Sequence, residues 1–127
     1  LKTDSLFYRL FQIRPQLLFE LLSSSSQPVS DYEFTSVEVK QLSFRIDGVF
    51  VPINGEPTDP LYVVEVQFQA DDRLYSRLFS ELFLYLRQYQ PVHPWRVVVI
   101  YPSRNVERSN DPHFQPLLNL EQVTRIY

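Results

Sequence analysis

The sequence predicts an α/β domain in which a mixed β-sheet is flanked by helices, and three observations lead there. Residues 61–69, Leu-Tyr-Val-Val-Glu-Val-Gln-Phe-Gln, form a run rich in β-branched and aromatic residues, as strands are. A helix-length segment follows in which Leu74, Leu78, Leu82 and Leu86 recur every fourth residue, the spacing of one helical ridge. After it comes Val97-Val98-Val99-Ile100, a continuous apolar run of the kind found in strands covered on both faces. A strand, a helix and a further strand in this order form the unit from which parallel sheets are built.

The other elements are read in chain order. Thr3 or Asp4 suits an N-cap for a helix over Ser5–Ile13, with Leu6, Phe7, Leu10, Phe11 and Ile13 as its apolar residues. Pro15 breaks that helix or opens a second one over Gln16–Leu22. Ser23–Ser30, with four consecutive serines and Pro28, reads as a loop. Tyr32–Val39 and Gln41–Pro52 carry strand composition and form a hairpin or one long bent strand. Asn54–Pro60 is a turn by composition, and Leu61–Gln69 is the central strand. Asp71-Asp72 caps a helix from Arg73 to about Gln90, with Tyr75, Phe79 and Tyr89 beside its leucine ridge. Pro91, His93 and Pro94 form a short link to a strand over Trp95–Tyr101. Ser103–Asp111 is a polar loop, His113–Leu120 a short helix and Val123–Tyr127 a last strand. The order is α-β-β-β-α-β with a further α-β at the end.

At 127 residues the chain is expected to be one domain, 1–127, large enough for a real core. Hydrophobic residues make up 44% and aromatics 15%, which argues against disorder. The net charge of −3 excludes a generally basic surface but leaves room for a local basic patch. With no cysteine, disulfide and thiol chemistry are excluded. No apolar run is long enough to span a bilayer, and no signal-peptide pattern opens the chain, so a cytoplasmic protein with no membrane partner is expected. The sequence opens on Leu1 and stops at Tyr127 inside a strand-like stretch, so it is expected to be trimmed at its C-terminus.

Chemistry is concentrated in two strands. Side chains alternate along a strand, so Glu65 and Gln67 leave one face while Tyr62, Val64, Val66 and Phe68 leave the other. The preceding strand carries Asp47, and pairing the two strands brings Asp47 near Glu65. A buried carboxylate needs a partner or a metal. Arg73 and Arg77 lie one turn apart on the long helix, away from the leucine ridge, with Arg87 on roughly the same face. Neither His93 nor His113 has a second histidine or cysteine at zinc-site spacing. The chain's two glycines, Gly48 and Gly55, cannot make a Gly-rich phosphate loop, and no nucleophile motif for acyl transfer is present.

The ordered set of Lys2–Phe11, Arg45-Ile46-Asp47, Val64-Glu65-Val66-Gln67, Arg77–Leu82 with Tyr85-Leu86, and Trp95–Pro102 resembles the PD-(D/E)XK nuclease superfamily. Within it the chain looks like the Rpn-type recombination-promoting nucleases and transposases of a branch common in cyanobacteria. That resemblance covers nearly the whole chain and implies a restriction-endonuclease-like core. It also implies that Asp47 and Glu65 bind Mg2+ (or Mn2+), that the carbonyl of Val66 completes the metal shell, and that DNA is the substrate. Gln67 stands where the parent fold usually has lysine. A glutamine carries no charge and cannot act as a base, so it can only orient water or a phosphate oxygen. Arg73 and Arg77 would contact phosphates, and Glu20 would be an additional acidic residue.

Each of these residues also has a structural reading. Asp47 can pair with Arg45 on an edge strand, Glu65 with Arg45 or Arg77, and Arg73 and Arg77 with Asp71 and Asp72 on a solvated face. Glu20 can be a surface helix residue, and Phe79, Phe83 and Tyr85 can form core or a homodimer interface. The expectation is therefore a magnesium-dependent DNA endonuclease. The alternative is a catalytically weak or inactive nuclease-fold module that binds DNA or protein.

Overall fold

A computed structural model describes residues 2–21, 48–53 and 55–127. The expected loop at Ser23–Ser30, the expected strand at Tyr32–Val39 and most of the Gln41–Pro52 stretch, including Arg45 and Asp47, lie outside the described residues. The chain divides into two compact units, Leu1–Leu42 and Ser43–Tyr127.

In the first unit, helix α1 spans Lys2–Ile13 and α2 spans Leu17–Leu21. The first helix begins before Thr3 and Asp4, so both lie within its first turn and neither is its N-cap. Pro15 interrupts the two helices as expected, and Arg14 N–H closes the first one by donating to Leu10 O at 2.8 Å. Glu20 pairs with Arg14 on the surface of this unit.

The second unit holds a four-stranded sheet in the order β1-β2-β3-β4, with β1 at Val49–Phe50, β2 at Leu61–Val66, β3 at Trp95–Ile100 and β4 at Val123–Ile126. The β1–β2 pair is antiparallel and the other two are parallel, so the sheet is mixed and the class is α/β, as the sequence predicts. Helix α3 spans Leu74–Tyr89 and makes the crossover between β2 and β3. The polar loop after β3 contains a 3-10 turn at Arg104–Val106, and the expected short helix is a 3-10 helix at Gln115–Asn119.

The core lies on one face of this sheet. Leu74, Tyr75, Leu78, Phe79 and Leu82 of α3 are buried with Leu61 and Val63 of β2, Val97 and Val99 of β3, Tyr101, Leu118 and Val123. Phe79 is fully buried and stacks on Phe114 with ring centroids 6.3 Å apart. The opposite face departs from expectation. Tyr62, Val66 and Phe68 are among the exposed large hydrophobics, Val66 at 51% and Phe68 at 67%. Val98 and Ile100 are half-buried, so β3 is fully covered on one face only. Although the whole β2 run is apolar in composition, it is Leu61 and Val63, in phase with Glu65, that go into the core.

Two local geometries have consequences for stability. The N–H of Val64 donates to the carbonyl of Gly48 at 2.8 Å, and the strands approach so closely there that a Cβ at Gly48 would lie 2.5 Å from the Val64 carbonyl oxygen. At the other end of the unit, α3 stops at Gln90, which adopts the left-handed conformation at φ 44 and ψ 55 and donates its N–H to Leu86 O. That conformation costs a non-glycine residue roughly 1 kcal/mol, and Pro91 prevents the helix from continuing.

Gly48→Ala is therefore expected to destabilise the protein by about 1–3 kcal/mol, seen as a lowered melting temperature in a thermal scan. An unchanged melting temperature would refute the close strand approach. Gln90→Gly is expected to act in the opposite direction by roughly 0.5–1 kcal/mol, and a denaturant midpoint that fails to rise would refute the strain assigned to that cap.

Candidate functional site

The parallel strands β2, β3 and β4 end on the same side of the sheet, and the polar side chains of the core face gather there. Strand register aligns them. Glu65 is opposite Val99, and Val99 is opposite Arg125, so the three form a row across the sheet. One step further along, the N–H of Gln67 donates to Ile100 O at 2.9 Å and that of Tyr101 to Ile126 O at 2.8 Å. In open α/β sheets, ligands bind outside the carboxyl ends of the strands.

Glu65 is on the core side of β2 but past its buried stretch, and its side chain retains 34% exposure. Its carboxylate lies 4.0 Å from Nη2 of Arg77, so the structural pairing with Arg77 is present. Arg77 also donates from Nη1 to Oδ2 of Asp71 at 3.0 Å, placing one guanidinium between two carboxylates. Asp71 and Asp72 do not cap α3 as expected: its N-cap is Arg73, which makes no side-chain capping bond, and Asp71 instead closes a turn just ahead of the helix, its Oδ1 accepting the N–H of Arg73 at 2.9 Å. That backbone hydrogen bond and the one from Arg77 hold the Asp71 carboxyl below its ordinary range. Asp72 faces Arg108 at 4.0 Å instead of pairing with Arg73 or Arg77.

Gln67 is half-buried, and its Nε2 donates to the carbonyl of Gln69. Its amide oxygen is the end left to accept a hydrogen bond. The Val66 carbonyl lies between Glu65 and Gln67 at the end of β2. Arg73 is exposed immediately before α3, and its guanidinium has no ion pair among the described residues. Glu20 belongs to the first unit, where Arg14 pairs with it, and Asp47 lies outside the described residues. No group of three or more His, Cys, Asp or Glu able to hold a metal occurs among the described residues. Glu65, the Val66 carbonyl and Gln67 present oxygen donors only, a set that suits Mg2+ and not zinc.

Beside this carboxylate stands a second cluster that sequence reasoning missed. Glu107, in the loop after β3, accepts hydrogen bonds from the hydroxyls of Tyr75 and Tyr127 and from Nη1 of Arg125 at 3.0 Å. The hydroxyl of Tyr101 donates to that of Tyr75 at 2.7 Å. The Glu107 side chain is only 9% exposed. Burial pushes its carboxyl up, but the hydrogen bonds from Tyr127, Tyr75 and Arg125 outweigh burial and hold it below the ordinary value. Burial and then the bond to Glu107 raise Tyr75, and burial chiefly raises Tyr101 and Tyr127, so all three phenols stay protonated at neutral pH. One signal was available in the sequence. Both β3 and β4 run into an Ile-Tyr pair, Ile100-Tyr101 and Ile126-Tyr127, and the register sets those pairs side by side.

An open cavity of about 240 Å3, lined by Trp95, Arg96 and Glu121 among others, lies at the N-terminal ends of the strands. It is at the opposite end of the sheet from Glu65 and does not belong to this site. Among the described residues no helix is long and apolar enough to cross a membrane.

A family model described as "Protein of unknown function (DUF2887)" matches residues 3–127. No significant match is found among curated proteins or among solved structures.

The Glu107 cluster makes stability pH-dependent. A carboxyl held low in the folded state contributes stability above its unfolded pKa of about 4.5, and loses it as pH falls through the folded value. Wild-type protein is expected to lose melting temperature on acidification below about pH 4.5. Glu107→Ala is expected to cost about 3 kcal/mol at pH 7 by leaving Arg125 without its partner, and to flatten that acid limb. A variant that melts like the wild type at neutral pH would disprove this role.

Proposed function

The chain belongs to the DUF2887 family, and we propose that it is a metal-dependent DNA endonuclease of the Rpn type, with a PD-(D/E)XK-like core, acting in the cytoplasm. The observation that carries this reading is the position of Glu65. It is a half-exposed carboxylate at the carboxyl end of a parallel strand in a mixed sheet, flanked by oxygen donors and arginines. The β1–β2 ladder reaches Gly48 and Val64, the residues that follow Asp47 and precede Glu65 in sequence. The reading requires the Asp47 carboxylate within reach of Glu65.

In this proposal Asp47, Glu65 and the Val66 carbonyl hold Mg2+ or Mn2+. A bound metal supplies polarisation of the phosphate and a lowered pKa for water. The protein's own groups do the positioning. Gln67, with its amide nitrogen committed to Gln69, offers its oxygen to align a water without taking its proton. Arg77 offsets the negative charge of Glu65 that an approaching phosphodiester would meet. The exposed guanidinium of Arg73 contacts a phosphate and fixes the strand without reading its sequence.

A second reading, a nuclease-fold module that binds without cutting, draws on the pairing of Arg77 with Glu65 and on the uncharged Gln67. The two separate on metal and on cutting. Incubation of purified protein with supercoiled plasmid and Mg2+ is expected to give nicking that EDTA abolishes. Asp47→Ala and Glu65→Ala are each expected to lower that rate by on the order of 100-fold or more, with an unchanged circular dichroism spectrum. Nicking by either variant at the wild-type rate would sink the site assignment. No nicking together with a melting temperature insensitive to millimolar Mg2+ would favour the binding module, because a ligand of the native state stabilises it.

A further inference from the structure

Arg104 opens the 3-10 turn after β3, and its guanidinium carbon lies 4.0 Å above the centroid of the Tyr127 ring. Tyr127 in turn stacks on Tyr101, with centroids 5.8 Å apart and the planes within 11° of parallel. Both rings are pinned at their far ends, Tyr127 by its hydroxyl on Glu107 and Tyr101 by its hydroxyl on Tyr75. The stack engages the face of the guanidinium. Its N–H donors project from the edge, in the plane, and form the fork that fits two oxygens of a phosphate. No carboxylate pairs with Arg104 among the described residues, and Glu107 is already committed to Tyr75, Tyr127 and Arg125. Arg108 differs in that it donates to the carbonyls of Asn105 and Glu107 and faces Asp72.

We infer that Arg104, held flat on Tyr127, grips a non-scissile backbone phosphate of a DNA strand that crosses the carboxyl ends of β2, β3 and β4. This rests on the endonuclease reading above and adds the path of its substrate. Tyr127 follows β4, two strand spacings from Glu65 on β2. Two spacings are about 10 Å, or roughly three nucleotide rises of about 3.4 Å. Arg73 marks the β2 side of that path and Arg104 the β4 side. Arg104 is a positioning residue, as it contacts a phosphate away from the one being cut.

The test is fluorescence anisotropy of a labelled duplex, and of its single strand, in EDTA over a range of salt concentrations. Arg104→Ala is expected to weaken binding about fivefold or more for any sequence and to reduce the salt slope by about one. Arg104→Lys should fall between, as it keeps the charge without the fork. Tyr127→Phe retains the ring but loses its hydroxyl pin and should bind between wild type and Arg104→Ala, whereas Tyr127→Leu should reproduce much of the Arg104→Ala loss. In cleavage, Arg104→Ala should raise KM with kcat unchanged. Wild-type binding by Arg104→Ala, with a wild-type melting temperature, overturns the contact and leaves the nuclease reading standing. Wild-type protein that binds neither duplex nor single strand overturns both.

Discussion

Helix α3 must hide the ridge from Leu74 to Leu82, and it does so on one face of β2 and β3. Phe79, Leu82, Leu61, Val97 and Val99 are fully excluded from water there, and each large apolar side chain so buried contributes about 1.5–3 kcal/mol. The polar groups take their positions from this packing. Because the buried residues of β2 are Leu61 and Val63, the next side chain in phase is Glu65, and it emerges at the edge of the core where α3 begins. Arg77 is on the helix turn that meets it. The carboxylate is thereby kept partly wet, which lowers the cost of keeping it charged.

The Glu107 cluster answers a different demand of the same packing. Tyr75 and Tyr101 are buried at the end of the core, and each brings a hydroxyl that water can no longer reach. Tyr101 resolves its hydroxyl on Tyr75, Tyr75 on Glu107, and Glu107 is balanced by Arg125. No buried side-chain polar atom is left without a partner among the described residues. A chain of this kind ties the loop after β3 to the first turn of α3 and to the end of β4, so the rim of the sheet is rigid on the side where the candidate site lies.

Much of this fold can be read from the residues, because the strongest signals are periodic. The leucine spacing of α3, the valine run of β3 and the proline breaks after Ile13 and Gln90 correspond to elements within a residue or two of expectation. What misleads is local composition taken as burial. The face of β2 bearing Tyr62, Val66 and Phe68 looks like core by hydropathy, yet it is the face with Leu61 and Val63 that meets a helix. Alternation states which residues share a face but not which face is covered. The candidate site was legible at Glu65, Gln67 and Arg77 because polar groups inside an apolar strand, or on a helix opposite its ridge, stand out. Glu107 was not, since a glutamate in a polar loop has no periodicity to break, and its donors come from α3 and from the end of β4, both distant from it in sequence.

In the described sheet, every strand is paired with the strand next to it in the chain, and α3 carries the crossover from β2 to β3. Each new ladder therefore joins neighbours in chain order, which keeps the loops it closes shorter than a shuffled strand order would. The sheet can be laid down outward from β1, one strand at a time, as the chain emerges during synthesis. Until β4 arrives, β3 carries an open edge bearing Val97 and Val99, the hazard that exposed strand edges present. Once β4 has paired, Arg125 and Tyr127 reach Glu107 and tie its end to the loop after β3. The polar cluster thus serves as a latch on a sheet whose hydrophobic part is already assembled.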